Sequence, residues 1–317
     1  MKFSPAVLDK ARRLANAMRA TDVLAAPVVG EGGDEALRAA LESCVEAVSR
    51  VESEQERIRP LIERAESDIE RAFRHYQQEL VERQLTRAAQ TAANRLLLLD
   101  SLKSEADYER ERARCRDGVA GTLYWFEHYA WGLDPREDSP LKVMPFAPFP
   151  FQQEFIRWLE MLVFEKGTSG LVEKARDMGA TVCALDWCVK QWLFRPHFSV
   201  LLASATEDLV DSKKDPDTLF EKVRFQLRLT PSWMLPAGFN LQRDMPYMNI
   251  ANEVQGAVFS GQAPTENVGR QRRRTVVVAD EFASWPGGGY KQDESLSQTS
   301  RSIIKLSSVK GLHNRFA

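Results

Sequence analysis

The chain has 317 residues, 44% of them hydrophobic, and a formal net charge of -2, enough to build a core and to fill two domains or one large domain with an extension. A balance this close to neutral excludes a globally basic surface, so nucleic acid would have to meet a local patch. No apolar run approaches the roughly 18 residues that span a bilayer, and Cys44, Cys115, Cys183 and Cys188 have no zinc spacing in a chain that starts with no signal-peptide pattern, so the expectation is a cytosolic protein with reduced thiols.

Residues 1–33 form a weakly amphipathic start that ends in Gly30-Glu-Gly-Gly33, a flexible segment. From Asp34 to about Cys115 the text is rich in Ala, Glu, Arg and Leu. Its apolar or small residues fall at Leu37, Leu41, Cys44, Val48, Val51, Ile58, Ile62, Ala65, Ile69, Ala72 and Tyr76. Alternating steps of three and four, with one polar gap at Gln55, make a coiled-coil seam, whose phase continues across Pro60 as one kinked helix or two stacked ones. Such an arm either packs on its own chain as a helical hairpin or docks a partner.

Residues 116–150 turn aromatic and Pro-rich, with Tyr124-Trp-Phe126, Tyr129, Trp131 and Pro145-Phe-Ala-Pro-Phe-Pro150, a lead-in subdomain whose rings belong in a core. Beyond Phe151 helix and strand alternate. Helical spacing covers Gln153 to Phe164, Ala180 to Leu193 and Leu219 to Leu229; strands fall at Gly170 to Glu173, Ser199 to Ala203 and Thr275 to Ala279. Buried apolar strands separated by helices predict an α/β fold with a mostly parallel sheet covered on both faces. Ligands of such sheets bind beyond the carboxyl ends of the strands.

Two stretches carry chemistry. A phosphate-binding loop runs Gly, four residues, Gly, Lys, then Ser or Thr, so that backbone N–H groups and a helix N-terminus hold phosphates. Here the frame reads Lys174, Ala175, Arg176, Asp177, Met178, Gly179, Ala180, Thr181, followed by Val182. Ala180 stands where the Lys belongs and Lys174 where the first Gly belongs. A Lys on the loop's first residue still reaches a phosphate, and Arg176 adds a forked cation, so the charge is relocated. Otherwise the segment is a strand-to-helix turn with incidental basic residues. Thr181 places a hydroxyl at the first helical turn as a Mg²⁺ ligand. Thr275-Val-Val-Val-Ala-Asp280-Glu281 supplies the other half: the strand carries Asp280 to the sheet edge to hold Mg²⁺, and Glu281 orients and deprotonates the attacking water.

With these motifs on the page, the chain from Leu123 to Asn314 resembles the large terminase subunit of tailed bacteriophages, the ATPase that packages DNA into proheads. Further matching stretches are Leu123 to Tyr129 with Asp134-Pro-Arg136, Pro148-Phe-Pro-Phe-Gln152, Val200-Leu-Leu-Ala-Ser204, Asp215-Pro-Asp-Thr-Leu-Phe220, Gly269-Arg270 and Leu306-Ser-Ser-Val-Lys-Gly-Leu-His-Asn314. A displaced Lys is a habit of that family. The resemblance implies a P-loop NTPase fold of the ASCE type for residues 116–317, with ATP and Mg²⁺ as cofactors. It implies Gln152, or less readily Gln153, on adenine; Lys174 and Arg176 on phosphates, with Arg176 counted among the catalytic groups beside Glu281; and Ser307, Ser308, Gly311 and Asn314 as a coupling motif. It further implies double-stranded DNA, a portal protein and a small terminase subunit as partners, a homo-oligomeric ring when assembled, a monomer in isolation, no membrane, and the host cytoplasm. The family's RNase H type nuclease domain has no counterpart in this sequence, and the resemblance says nothing about the arm.

Arg270, Arg272, Arg273 and Arg274 are the densest basic run. At about 3.3 Å per strand residue they start some 20 Å from Asp280, near the edge opposite their own nucleotide. They reach a neighbouring subunit's nucleotide, touch the DNA backbone, or are solvated. Two other classes compete with a packaging motor: a helicase-like DNA-dependent ATPase, and a nucleotide-binding docking module with little hydrolysis.

Overall fold

The structure is a computed structural model that describes residues 33–46, 86–134, 142–175, 178–212, 215–270, 272–311 and 314–316, with positions 5, 8 and 9. The seam positions from Val48 to Tyr76, and Arg176 and Asp177 of the phosphate loop, lie outside the described residues, as does most of segment 1–33. The chain divides into two compact units, residues 1–108, 127–147 and 229–231 in one and 109–126, 148–228 and 232–317 in the other.

The first unit holds α1 (Asp34–Glu46), α2 (residues 86–101) and the start of α3 (Glu105–Arg116). With them go the end of α4 (Gly118–Tyr129) and a hairpin of β1 (Trp131–Leu133) and β2 (Val143–Pro145). Leu37, Leu41 and Cys44, the first seam residues, are buried along with Ala40. The Cys44 thiol donates to the Val143 carbonyl, so this part of the seam packs on its own chain. Arg95 is 1% exposed; its guanidinium donates to the Glu127 and Ala130 carbonyls at 2.8 and 2.6 Å and lies over the Trp131 ring. The Ala130 carbonyl also accepts the Phe146 N–H at 2.9 Å, so the cation is its second donor, while at Glu127 it meets a carbonyl in the last turn of α4, where helical carbonyls run out of amide partners.

The second unit is built on α5 (Pro150–Glu160), β3 (Gly170–Glu173), α6 (Ala180–Phe194), β4 (Ser199–Ala203), α7 (Glu207–Val210), α8 (Leu219–Arg228), β5 (Asn249–Asn252), β6 (Ala257–Gln262), β7 (Val276–Ala279), α9 (Tyr290–Thr299) and β8 (Ile303–Ser307). Pro150 sits at the first helical position of α5, where its missing N–H costs nothing. The six strands run in the order β3-β8-β7-β4-β6-β5. All neighbours are parallel except the β5–β6 hairpin. This is an α/β fold with a mostly parallel sheet, in which β8 lies between β3 and β7, the strand order of an ASCE-type P-loop fold. Val276 to Ala279 are buried at every position, as a central parallel strand requires. Gly170 is obligatory, because a Cβ there would lie 2.3 Å from the Trp158 ring.

α6 is buried from Cys183 to Phe194. Three of its polar side chains converge on Glu160 of α5, which accepts from Trp187 Nε1 at 3.2 Å and Gln191 at 2.7 Å, as well as from Thr122 of α4 at 2.5 Å, with the Lys190 ammonium 3.9 Å away.

All four cysteines are reduced and buried. Burial pushes the Cys44 thiol up to about 12 against the opposing charge of Arg95. Burial raises Cys115, Cys183 and Cys188 too, with the Asp186 carboxylate adding to the last two. A thiol that keeps its proton in the fold but loses it when unfolded stabilises the protein fully below the unfolded value and less above it. Unfolding free energy should therefore hold up to about pH 8.5, then fall by up to ~1.4 kcal/mol per pH unit for each thiol. Urea titrations between about pH 8 and pH 10 test this; a flat profile would mean that solvent reaches the thiols in the native state.

Candidate nucleotide site

Lys174 follows β3, and its N–H donates to the Ser307 carbonyl at 3.0 Å, extending the β3–β8 ladder by one residue. The loop returns through Met178 to Gly179, whose φ of 70° is open to glycine and strained for other residues. α6 begins at Ala180, with the Cys183 N–H on the Gly179 carbonyl at 2.8 Å. The first-turn amides at Ala180 and Thr181 have no carbonyl of their own helix to bond, and together with the positive end of a 15-residue helix they favour an anion.

The acids arrive on β7. The Asp280 N–H donates to the Ala203 carbonyl at 2.9 Å, and its own carbonyl accepts from Trp285 Nε1 at 2.9 Å, so both backbone groups of Asp280 are held. Glu281 adopts a left-handed conformation with φ 48° and ψ 37°, which costs a non-glycine residue on the order of 1 kcal/mol or more. The turn is closed by the Ala283 N–H on Ser307 Oγ at 3.2 Å. Strain of this kind persists where surrounding contacts fix it, and here it aims a carboxylate that is 37% exposed.

The loop and the acids, 106 residues apart, meet in space. Lys174 Nζ donates to Thr181 Oγ1 at 2.9 Å and Asp280 Oδ1 at 3.0 Å, and lies 3.1 Å from Glu281 Oε1. Thr181 Oγ1 donates to Asp280 Oδ1 at 3.1 Å. Burial works to lower the Lys174 pKa, but the charges and hydrogen bonds of Asp280 and Glu281 outweigh it and hold the ammonium above its ordinary value. A cavity of about 340 Å³ opens beside this cluster, lined by Lys174, Ala175, Met178 to Val182, Glu281 and Ser308.

Gln152 is buried. Its Oε1 accepts from the Phe149 N–H at 2.9 Å, and its Nε2 donates to the Met178 carbonyl at 3.0 Å, so it ties the start of α5 to the loop. Gln153 turns away and donates to the Pro148 carbonyl at 3.3 Å. Among the coupling residues, Ser307 bonds both motif segments and Ser308 lines the cavity. Gly311 and Asn314 instead border a second cavity of about 320 Å³ with Ser284, Trp285 and Lys310, and Asn314 Nδ2 donates to the Lys310 carbonyl at 2.8 Å. Arg270, Arg272, Arg273 and Arg274 precede β7, at the end of the strand opposite Asp280. The Arg274 N–H bonds the Thr299 carbonyl, and burial with the nearby Arg272 charge lowers the Arg274 pKa.

One charged residue near the acids escaped the sequence reading. Lys222, in the first turns of α8, has its pKa lowered by burial against the pull of Asp217, Asp280 and Asp215. Its ammonium donates to the Asp217 carbonyl and pairs with that residue's carboxylate at 3.6 Å. The available signal was the turn Asp215-Pro-Asp217 ahead of a helix whose first turns carry a Lys.

Among the described residues no cluster of three or more His, Cys, Asp or Glu could hold a metal, and no helix is long and apolar enough to cross a membrane. A hydroxyl and one carboxylate, both oxygen donors, do fit Mg²⁺, which keeps most of its shell as water and substrate phosphate; Thr181 and Asp280 would hold it.

No protein-family model matches the chain, and no curated protein does. Solved structures similar to it include a mutant of the large terminase ATPase domain of Thermus phage P74-26, at 18% identity and a TM-score of 0.38 over 53% of this chain and 68% of that one. Another is the large terminase of bacteriophage HK97, at 12% identity and a TM-score of 0.39 over 63% of this chain and 37% of that one.

Proposed function

We propose that this chain is an ATP-hydrolysing motor subunit that moves double-stranded viral DNA into a prohead, the ATPase part of a large terminase. The observation that carries the reading is the meeting of Lys174, Thr181, Asp280 and Glu281 beside a cavity at the carboxyl edge of a parallel sheet. Bound ATP with Mg²⁺ supplies the phosphoryl group and the charge that makes it electrophilic. The protein's part is positioning and charge. The amides opening α6 and the cations Lys174 and Arg176 hold phosphate oxygens. Thr181 and Asp280 hold the metal, and Gln152 stands at the loop for the base. Glu281 orients a water and takes its proton, with the left-handed backbone keeping that carboxylate aimed at the cavity. Ser307 joins the N–H of Lys174 and the N–H of Ala283, so a shift of either segment on hydrolysis is felt at the end of β8, the start of the coupling segment.

The partners are duplex DNA, a portal protein and a small terminase subunit, met in the host cytoplasm as a ring of copies. Phosphate release from ATP and Mg²⁺, with and without duplex DNA and at concentrations that allow assembly, tests the reading. No release under either condition, with nucleotide bound, would leave a docking module; strand separation coupled to ATP would point to a helicase.

A motor that handles any sequence contacts phosphates and not bases. If Arg270, Arg272, Arg273 and Arg274 neutralise one phosphate each, affinity should fall roughly a hundredfold between about 50 and 200 mM salt and be equal for unrelated duplexes. Replacing the four by Ala should flatten that dependence. Affinity that is sequence-specific or indifferent to salt would remove DNA backbone contact from the account.

A further inference from the structure

We propose that Lys174 is a built-in counter-ion seated in the place of the divalent cation, so that the empty site refuses free metal and admits it only together with a triphosphate that draws the ammonium away. The inference rests on the nucleotide-site reading and adds a rule for how that site fills. Its basis is where the ammonium lies. A loop cation waiting for phosphate has no need to touch metal ligands, yet Lys174 Nζ is 2.9 Å from Thr181 Oγ1 and 3.0 Å from Asp280 Oδ1, the two oxygens that fit Mg²⁺, and 3.1 Å from Glu281 Oε1. These are the partners a metal would take, and one position cannot serve both cations.

The fold makes this reach possible. β3 and β7 are separated by β8, so their ends stand about 10 Å apart, and only a long side chain from the end of β3 crosses that gap. A Lys at position 180, on the first turn of α6, would start from a different side. Moving the charge to position 174 therefore gives it two seats: one on the carboxylates when the site is empty, one on phosphate oxygens when it is filled. Transfer between them frees Asp280 for the metal and Glu281 for water in the same motion.

The test uses the full chain without nucleotide, with Mn²⁺ alone as the probe and free Mn²⁺ read by electron paramagnetic resonance. Lys174→Met removes the counter-ion and should bind Mn²⁺ about tenfold or more tightly than wild type, because two neighbouring carboxylates are left uncompensated. Lys174→Gln, which keeps a polar contact with Asp280 but no charge, should gain similarly and covers the case in which the Met variant fails to fold. Lys174→Arg should stay near wild type, and adding Asp280→Asn to Lys174→Met should erase the gain. Equal Mn²⁺ uptake by wild type and the folded charge-neutral variants overturns the proposal, as does tight uptake by wild type. Because no ATP is present, this outcome is separate from hydrolysis: a chain that gains Mn²⁺ affinity but never turns over ATP would keep the counter-ion and lose the motor.

Discussion

Glu281→Gln should lower ATP turnover by roughly 10²- to 10⁴-fold, the range expected when a positioned general base is lost, while nucleotide affinity stays within a few-fold of wild type. The substitution is nearly isosteric, and Gln meets the same backbone strain as Glu at φ 48°, so the turn held by Ser307 Oγ and the Ala283 N–H has no reason to move. What is lost is the acceptor that takes a proton from water. Binding should tighten slightly if anything, because a negative charge beside the cavity disappears and Lys174, now with one carboxylate fewer, is freer to meet phosphate. Single-turnover phosphate release separates the chemical step from product release, and a fluorescent nucleotide titration reports affinity. Equal turnover in the variant would take Glu281 out of the base role and leave Asp280 as the other acid among the described residues of the site. A joint loss of binding and turnover would point to a structural role for the turn.

How far the sequence could be read follows the physics of each element. β3, β4 and β7 were legible because central parallel strands are short apolar runs between turn signals, and the expected ranges at Gly170 to Glu173 and Ser199 to Ala203 agree with the strands. β8 was not, because Ile303-Ile-Lys-Leu-Ser307 carries a Lys in its middle. Lys305 is tolerated there by an ion pair with Asp293 at 2.5 Å and by the Phe282 ring beneath its ammonium, partners that no local pattern reveals. The β5–β6 hairpin was missed for a similar reason: Asn252 looks like a strand breaker but is buried and donates to the Trp192 carbonyl at 2.8 Å. At the site, spacing offered the loop frame and the two acids at a strand end as expectations, and the structure brings Lys174, Thr181, Asp280 and Glu281 together. The left-handed Glu281, the Gln152 link to Met178 and the proximity of Lys222 to Asp280 depend on tertiary placement, and a linear text holds no record of them.

Arg224→Ala should destabilise the second unit by about 3–5 kcal/mol, the cost of leaving the buried Asp211 carboxylate without its cation, while Glu221 keeps Arg228 at 3.2 Å. Arg224 is 2% exposed. Its Nη1 donates to Asp211 Oδ1 at 2.6 Å and to Glu221 Oε1 at 2.7 Å, and its Nη2 donates to Asp211 Oδ2 at 2.7 Å and to the Pro246 carbonyl at 2.9 Å. Burial works to lower the Arg224 pKa, and Asp211 and Glu221 more than reverse it. Asp211 also accepts the Met248 N–H at 2.6 Å, and Met248 has a positive φ of 51°, so the carboxylate anchors a strained turn before β5. Without Arg224 the fold must bury that charge alone, protonate it, or open the segment between α7 and α8. The paired geometry is bidentate, so Lys at position 224 restores the charge but not the fork, and Arg224→Lys should recover only part of the loss. A double-mutant cycle with Asp211→Asn gives the coupling directly. Loss of less than about 1 kcal/mol in urea titrations of Arg224→Ala would mean that water solvates Asp211 in the native state. A loss in the expected range should also reach the candidate site, because Lys222 lies two residues before Arg224 on α8 and is held within the electrostatic reach of Asp280.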